Sequence, residues 1–156
     1  MDTRDFHTAR GYQLLGREKT GLTASLEDYL EMICRNILSD GYVRVNTLAN
    51  ELNVQPPSAS KMIRKLAQLK LIDYEKYGVI RLTESGRELG EYLLWRHDTI
   101  IRFFQLISKN RTDDAFMEAE LTEHILSRST VENLDRLMRL FDENPSFYSK
   151  LQESIL

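Results

Sequence analysis

Apolar residues recur every three to four positions along most of this chain, a spacing that predicts helices, and they alternate over one short stretch, a spacing that predicts strands. Residues 1–22 follow neither period and read as an arm. Ser25 offers an N-cap with Asp28 three positions on, and Leu26, Tyr29, Leu30, Ile33 and Ile37 mark one face of a helix that Gly41 should stop in "SDGY". "VRVNTLANELNV" predicts a short helix with Leu48, Ala49 and Leu52 facing inward. In "QPPSASKMIRKLAQLKLI", Pro56 and Pro57 suit a helix start, and Met62, Ile63, Leu66 and Leu69 form its apolar face. "IDYEKYGVIRLT" reads as a β-hairpin near Tyr77 and Gly78. Thr83, Glu84 and Ser85 open a long helix reaching Ser108, "KNRTDD" reads as a loop, and helices follow over 114–127, 130–143 and from Pro145 onward. No internal repeat or low-complexity tract interrupts this order.

The order predicts a mostly α protein. Three helices and a β-hairpin wing over residues 23–83 form an N-terminal winged helix-turn-helix, and an α-helical domain follows over 84–156. In a winged helix the second helix braces the third, and the third presents polar and basic side chains to a groove about as wide as a helix. Ser58, Ser60, Lys61, Arg64 and Lys65 lie off the apolar face of the third helix, and Lys76, Tyr77 and Arg81 lie on the hairpin. Hydroxyls near a helix start suit phosphate or base edges, and lysine and arginine supply phosphate charge. The plain alternative is a helical domain whose basic residues are only solvated.

Charge supports the first reading. The chain carries net −3, yet residues 55–81 hold six basic residues against two acidic ones, net +4, while residues 110–156 hold five basic against ten acidic, net −5. A basic segment within an acidic protein marks a local polyanion site, and the acidic segment is where a cation could bind. At 42% hydrophobic and 29% charged the composition is that of a globular protein. No apolar run approaches the roughly 20 residues that span a bilayer, and the polar first 20 residues lack a signal-peptide core. The one cysteine, Cys34, excludes an internal disulfide, fits a reducing cytoplasm and falls on a helix face with Leu30, Ile33 and Ile37, so it reads as a core residue. Glycine-rich phosphate loops and recognisable nucleophile motifs are absent.

The acidic half contains "EAELTEHILS", which puts Glu120, Glu123 and His124 on one turn of the predicted 114–127 helix beside Leu121, Ile125 and Leu126. Read plainly, this is a solvated face with a weak Glu120–His124 pair; read sharply, it is part of a metal site. Asp28 and Glu31 share a face of the first helix, and His97 lies among large apolar residues of the long helix. Asp28 could simply complement the helix dipole, and His97 could be a packed histidine. Should the three elements converge, four carboxylates and two imidazoles would suffice for two divalent cations. Without a cation the carboxylates would repel one another; with one they become a reason for the elements to dock.

"SLEDYLEMI", "VNTLANELNVQPPSASKMIRKL", "YEKYGVIRLTESG" and "ELTEHILS" together resemble the diphtheria-toxin-repressor family of metalloregulators, most closely its manganese transport regulator branch, over residues 23–145. The resemblance implies a homodimeric, metal-activated, cytoplasmic transcription factor, a repressor of manganese uptake genes. It implies a winged helix followed by a helical dimerisation and metal-binding domain, palindromic double-stranded operator DNA as partner, and neither a membrane nor a small-molecule substrate. It implies a binuclear site built from Asp28, Glu31, His97, Glu120, Glu123 and His124, holding two Mn2+ per subunit, with Fe2+, Zn2+, Co2+ and Cd2+ as other occupants in vitro. The iron-sensing branch has methionine at the position of Asp28 and cysteine at that of Glu120, and oxygen donors favour manganese over softer ions. Apolar faces over 89–107 and 134–141 permit a dimer. The chain has no room for the additional SH3-like domain of longer iron-type members, and its arm begins about 20 residues earlier than in short manganese regulators. That arm carries net +1, and disorder, a reach to DNA or packing across a dimer all stand open for it; its His7 is not assigned as a ligand. The competing readings are an iron- or zinc-responsive regulator of the same fold, a metal-free winged helix and a binuclear metal hydrolase.

Overall fold

The computed structural model describes residues 21–74, 78–108 and 112–155. They form seven helices and three short strands: α1 (Ala24–Asp40), β1 (Val43–Arg44), α2 (Val45–Glu51), α3 (Pro56–Gln68), β2 (Ile72–Tyr74), β3 (Val79–Leu82), α4 (Glu84–Ile107), α5 (Thr112–Thr122), α6 (Arg128–Glu143) and α7 (Pro145–Ile155). The chain divides into two compact units at Trp95/Arg96, inside α4. No helix among the described residues is long and apolar enough to cross a membrane.

The unit from Leu22 to Trp95 is a winged helix-turn-helix. Its first helix begins earlier than the sequence suggests. Thr23, not Ser25, is the N-cap, with its hydroxyl accepting from Leu26 N at 3.3 Å. Gly41 ends the helix in the left-handed region at φ 81°, which glycine adopts without a Cβ penalty. Asn36 amide nitrogen ties α1 to α2 by donating to Glu51 Oε2 at 2.7 Å. The turn between α2 and α3 passes through Asn53 at φ 50°, closed by Val54 N donating to Ala49 O. Pro56 and Pro57 occupy the first positions of α3, where a missing N–H costs no helical hydrogen bond. Leu30, Ile33, Leu48, Ile63, Leu66, Ile80 and Leu93 make the fully buried centre.

The hairpin pairs Ile72 with Leu82 and Tyr74 with Ile80. Sequence reasoning missed a third strand: Val43 and Arg44 pair with Ile80 and Val79, giving the sheet order β1-β3-β2. Two residues are too few to display an alternating pattern, and Val43 had read as part of the following helix. Cys34 is completely buried, and burial pushes its thiol pKa up, so it is a core residue and a poor nucleophile.

Thr83 anchors the start of α4. Its hydroxyl accepts from Gly86 N at 3.0 Å and donates to Lys70 O at 2.8 Å. Gly86 is needed there, because a Cβ on it would lie 1.7 Å from Leu71 O.

The unit from Arg96 onward is helical. Leu106 packs with Met138 and Phe141, flanked by Phe103 and Leu151. Much of the apolar faces that permitted a dimer, 89–107 and 134–141, is therefore spent inside the chain. Arg102 Nη2 donates to Asp142 Oδ2 at 2.9 Å across α4 and α6. Three predicted boundaries move, two of them at α5 and one at the start of α6, which begins at Arg128 and not at 130. The expected loop 109–114 already carries the start of α5 at Thr112, and the helix expected over 114–127 ends at Thr122. Ser127 then caps α6, accepting from Thr130 N at 3.2 Å.

Alanine in place of glycine inside a helix normally gains about 1 kcal/mol. For Gly86→Ala we expect the opposite sign, a loss of about 1–3 kcal/mol from overpacking against Leu71, read as a lower urea midpoint at unchanged slope.

Candidate metal centre and nucleic-acid interface

The early end of α5 shapes the acidic cluster. Glu120 is in the last turn of the helix, whereas Glu123 and His124 fall in the turn that follows it. Glu123 N still donates to Ala119 O at 3.0 Å, but the Thr122 carbonyl is taken by Ile125 N and Leu126 N as the chain turns away. His124 therefore lies beyond the regular helix that carries Glu120. Glu123 is 1% exposed, while Leu121 and Ile125 are 71% and 61% exposed.

His97, on α4, meets this turn. Its Nδ1 lies 3.0 Å from Glu123 Oε2 and 3.5 Å from Glu120 Oε1. His124 Nε2 lies 3.5 Å from the other Glu123 oxygen, Oε1. A buried carboxylate thus sits between two imidazoles with a second carboxylate alongside. Phe116 meets the His97 ring edge-on at 6.2 Å, giving it an apolar wall. The four residues offer only nitrogen and oxygen donors, and a buried carboxylate requires positive charge or hydrogen bonds nearby. That donor chemistry fits a divalent cation. Beside them is Arg96, 3% exposed, whose Nη2 lies 3.4 Å from His124 Nδ1. Sequence reasoning missed it; the only signal available was its place beside His97, a place that Asp98 shares.

Within the unit from Arg96 onward the structure brings together the predicted ligands His97, Glu120, Glu123 and His124. Asp28 and Glu31 belong to the other unit, one turn apart on α1. Glu31 is buried and accepts from Arg35 Nη2 at 3.0 Å, and Asp28 is half-buried.

In the winged helix, Ala59, Ile63 and Leu66 bury one side of α3. The predicted DNA-facing residues Ser58, Lys61, Arg64 and Lys65 are exposed on it, Ser60 is half-buried, and Arg81 is exposed on β3. Lys76 and Tyr77 lie outside the described residues. An open cleft of about 500 Å³ runs beside α3, lined by Arg44, Val45, Asn46, Pro56, Ser60, Tyr74 and Gly78. Arg44 and Asn46 extend the polar surface beyond the predicted set; Arg44 lies over the Tyr42 ring at 5.9 Å.

Known proteins share both halves. The profile "Iron dependent repressor, N-terminal DNA binding domain" matches residues 21–80, and "Iron dependent repressor, metal binding and dimerisation domain" matches residues 83–148. The "HTH-type transcriptional regulator MntR" of Oceanobacillus iheyensis is 36% identical over 133 residues, covering 85% of this chain and 90% of that one. The metal-dependent transcriptional regulator MtsR superposes with a TM-score of 0.66 at 26% identity over 73% of this chain. A "Manganese-dependent transcriptional repressor complex with manganese" does so with a TM-score of 0.58 at 31% identity over 70% of it. The match spans about half of each of those two solved chains, 53% and 50%. With family profiles on both units, the hydrolase reading falls away: the chain belongs to the iron-dependent repressor family of transcriptional regulators, which joins a DNA-binding domain to a metal-binding and dimerisation domain.

Proposed function

We propose that this protein is a manganese-responsive DNA-binding repressor whose affinity for operator DNA depends on a binuclear Mn2+ site. The observation that carries this reading is the buried Glu123 carboxylate held between His97 and His124 with Glu120 beside it. Asp28 and Glu31 are proposed to complete the set, giving four carboxylates and two imidazoles for two Mn2+ per subunit. The metal, when bound, supplies the positive charge that lets these carboxylates remain ionised together. The absence of sulfur among the six favours Mn2+ over softer ions, while coordination number and geometry must hold off Zn2+, which binds most nitrogen and oxygen sites more tightly. The manganese-dependent transcriptional repressor among the similar solved structures supports the same choice. An iron- or zinc-responsive regulator is the second reading, favoured by the wording of the family profiles.

The mechanism is a restriction of shape. Asp28 and Glu31 on α1, joined through the site to His97, Glu120, Glu123 and His124, limit the arrangements open to the winged helices of a dimer. The recognition helices α3 are then held at the spacing of successive major grooves in a palindromic operator. A second copy of the chain is the partner suited to cover Phe116, Met117, Leu121 and Ile125, all more than half exposed.

The deciding measurement is fluorescence anisotropy of DNA from upstream of manganese-uptake genes, at fixed salt, with chelator, Mn2+, Fe2+ or Zn2+. Tightening by Mn2+ is expected; equal affinity in chelator would refute the switch. Glu123→Ala should abolish the Mn2+-dependent gain while circular dichroism stays that of the native fold, and a wild-type response in that variant counts against the mechanism. Coupling must also be reciprocal: operator DNA should tighten Mn2+ binding by the same factor that Mn2+ tightens DNA binding. A calorimetric titration with and without DNA checks this. Lys61→Ala should weaken binding to all sequences and lower the salt slope by about 1; an unaltered slope would take Lys61 off the phosphate backbone.

A further inference from the structure

We infer that Arg96 is a latch on the metal ligand His124, holding its ring in a form that no cation can use until the guanidinium lets go. The inference rests on the metal-site reading above and concerns how that site is controlled.

The argument starts from donors and acceptors. A guanidinium has five N–H groups and accepts nothing. Arg96 Nη2, 3.4 Å from His124 Nδ1, can only donate to it, so that nitrogen must present its lone pair to Arg96. In a neutral imidazole the ring proton then resides on Nε2, which lies 3.5 Å from Glu123 Oε1, a carboxylate oxygen suited to an N–H. Both nitrogens of His124 are thereby engaged. Ligation through Nδ1 displaces Arg96 outright. Ligation through Nε2 requires the ring proton to leave that atom for Nδ1, where it would confront the N–H of Arg96. Either route needs Arg96 to release the ring, so the conclusion does not depend on which nitrogen binds.

Burial gives the latch its strength. Arg96 is 3% exposed, so its charge is poorly screened, and the His124 ring it holds lies against Glu123, 1% exposed. A cation of the protein's own is therefore stationed where an incoming cation must act. It stabilises the acidic cluster in the absence of metal and competes with metal for His124. The result is a site of deliberately lowered affinity, which raises the metal concentration at which the regulator responds. Arg96 is a positioning residue here, not a ligand.

The sign of one substitution tests this. A group that supports a ligand from behind raises metal affinity, and its removal weakens binding by roughly 10- to 100-fold. A latch behaves oppositely. Arg96→Gln should bind Mn2+ about tenfold more tightly, read from the electron paramagnetic resonance signal of free Mn2+, and its metal-free form should melt at a lower temperature than the wild type. Unchanged or weaker Mn2+ binding in Arg96→Gln overturns the latch while leaving the metal site itself intact. The wild-type protein provides a second check that needs no variant: long-range proton–nitrogen spectra of the metal-free form should show the His124 proton on Nε2, and a proton on Nδ1 overturns the proposal. Should wild type and Glu123→Ala bind Mn2+ equally, the metal-site reading fails and the latch fails with it.

Discussion

A carboxylate at 1% exposure is the constraint around which the C-terminal unit is arranged. An ionised carboxylate is costly in an apolar interior, and the surrounding elements bring an imidazole nitrogen to each oxygen of Glu123. His97 comes from α4 and His124 from the residue next door, and the Glu123 carboxylate lies between them. Local chain geometry, burial and donor chemistry are therefore one problem with one solution.

The winged helix answers a different demand. Its interior is apolar around Leu30, Leu48, Ile63 and Leu66, and its charge is displaced to the surface of α3 and β3. The separation of net +4 from net −5 along a chain of net −3 becomes physically sensible in this light. Phosphate recognition and cation recognition need opposite fields, and placing them in different segments avoids mutual cancellation.

Much of the fold was legible in the sequence because long helices repeat their apolar period many times. The span of α4 and the starts of α3 and α7 follow from Thr83, Pro56 and Pro145 directly. Short-range competition decided what was not legible. Thr23 and Ser25 are both good caps, and only the observed hydrogen bond to Leu26 N separates them. Strand β1 is too short to show a period, and its partner Ile80 is 37 residues away from Val43. The end of α5 had no glycine or proline to announce it. The donor types of the site were readable, and so was the gathering of His97 with the "EAELTEHILS" segment as a possibility. Arg96 was not, since a buried arginine and a surface arginine look the same in a sequence.

The donor set has a chemical consequence beyond metal choice. Methionine and cysteine ligands are oxidised to sulfoxide and sulfenic acid, which destroys or alters them as donors. His97, Glu120, Glu123 and His124 carry no sulfur, and Cys34 is sealed in the core with its thiol held protonated. Peroxide that would blind a thiolate-based sensor has no sulfur to attack among these four, so as the proposed metal site they would keep their donor atoms while their surroundings are being oxidised.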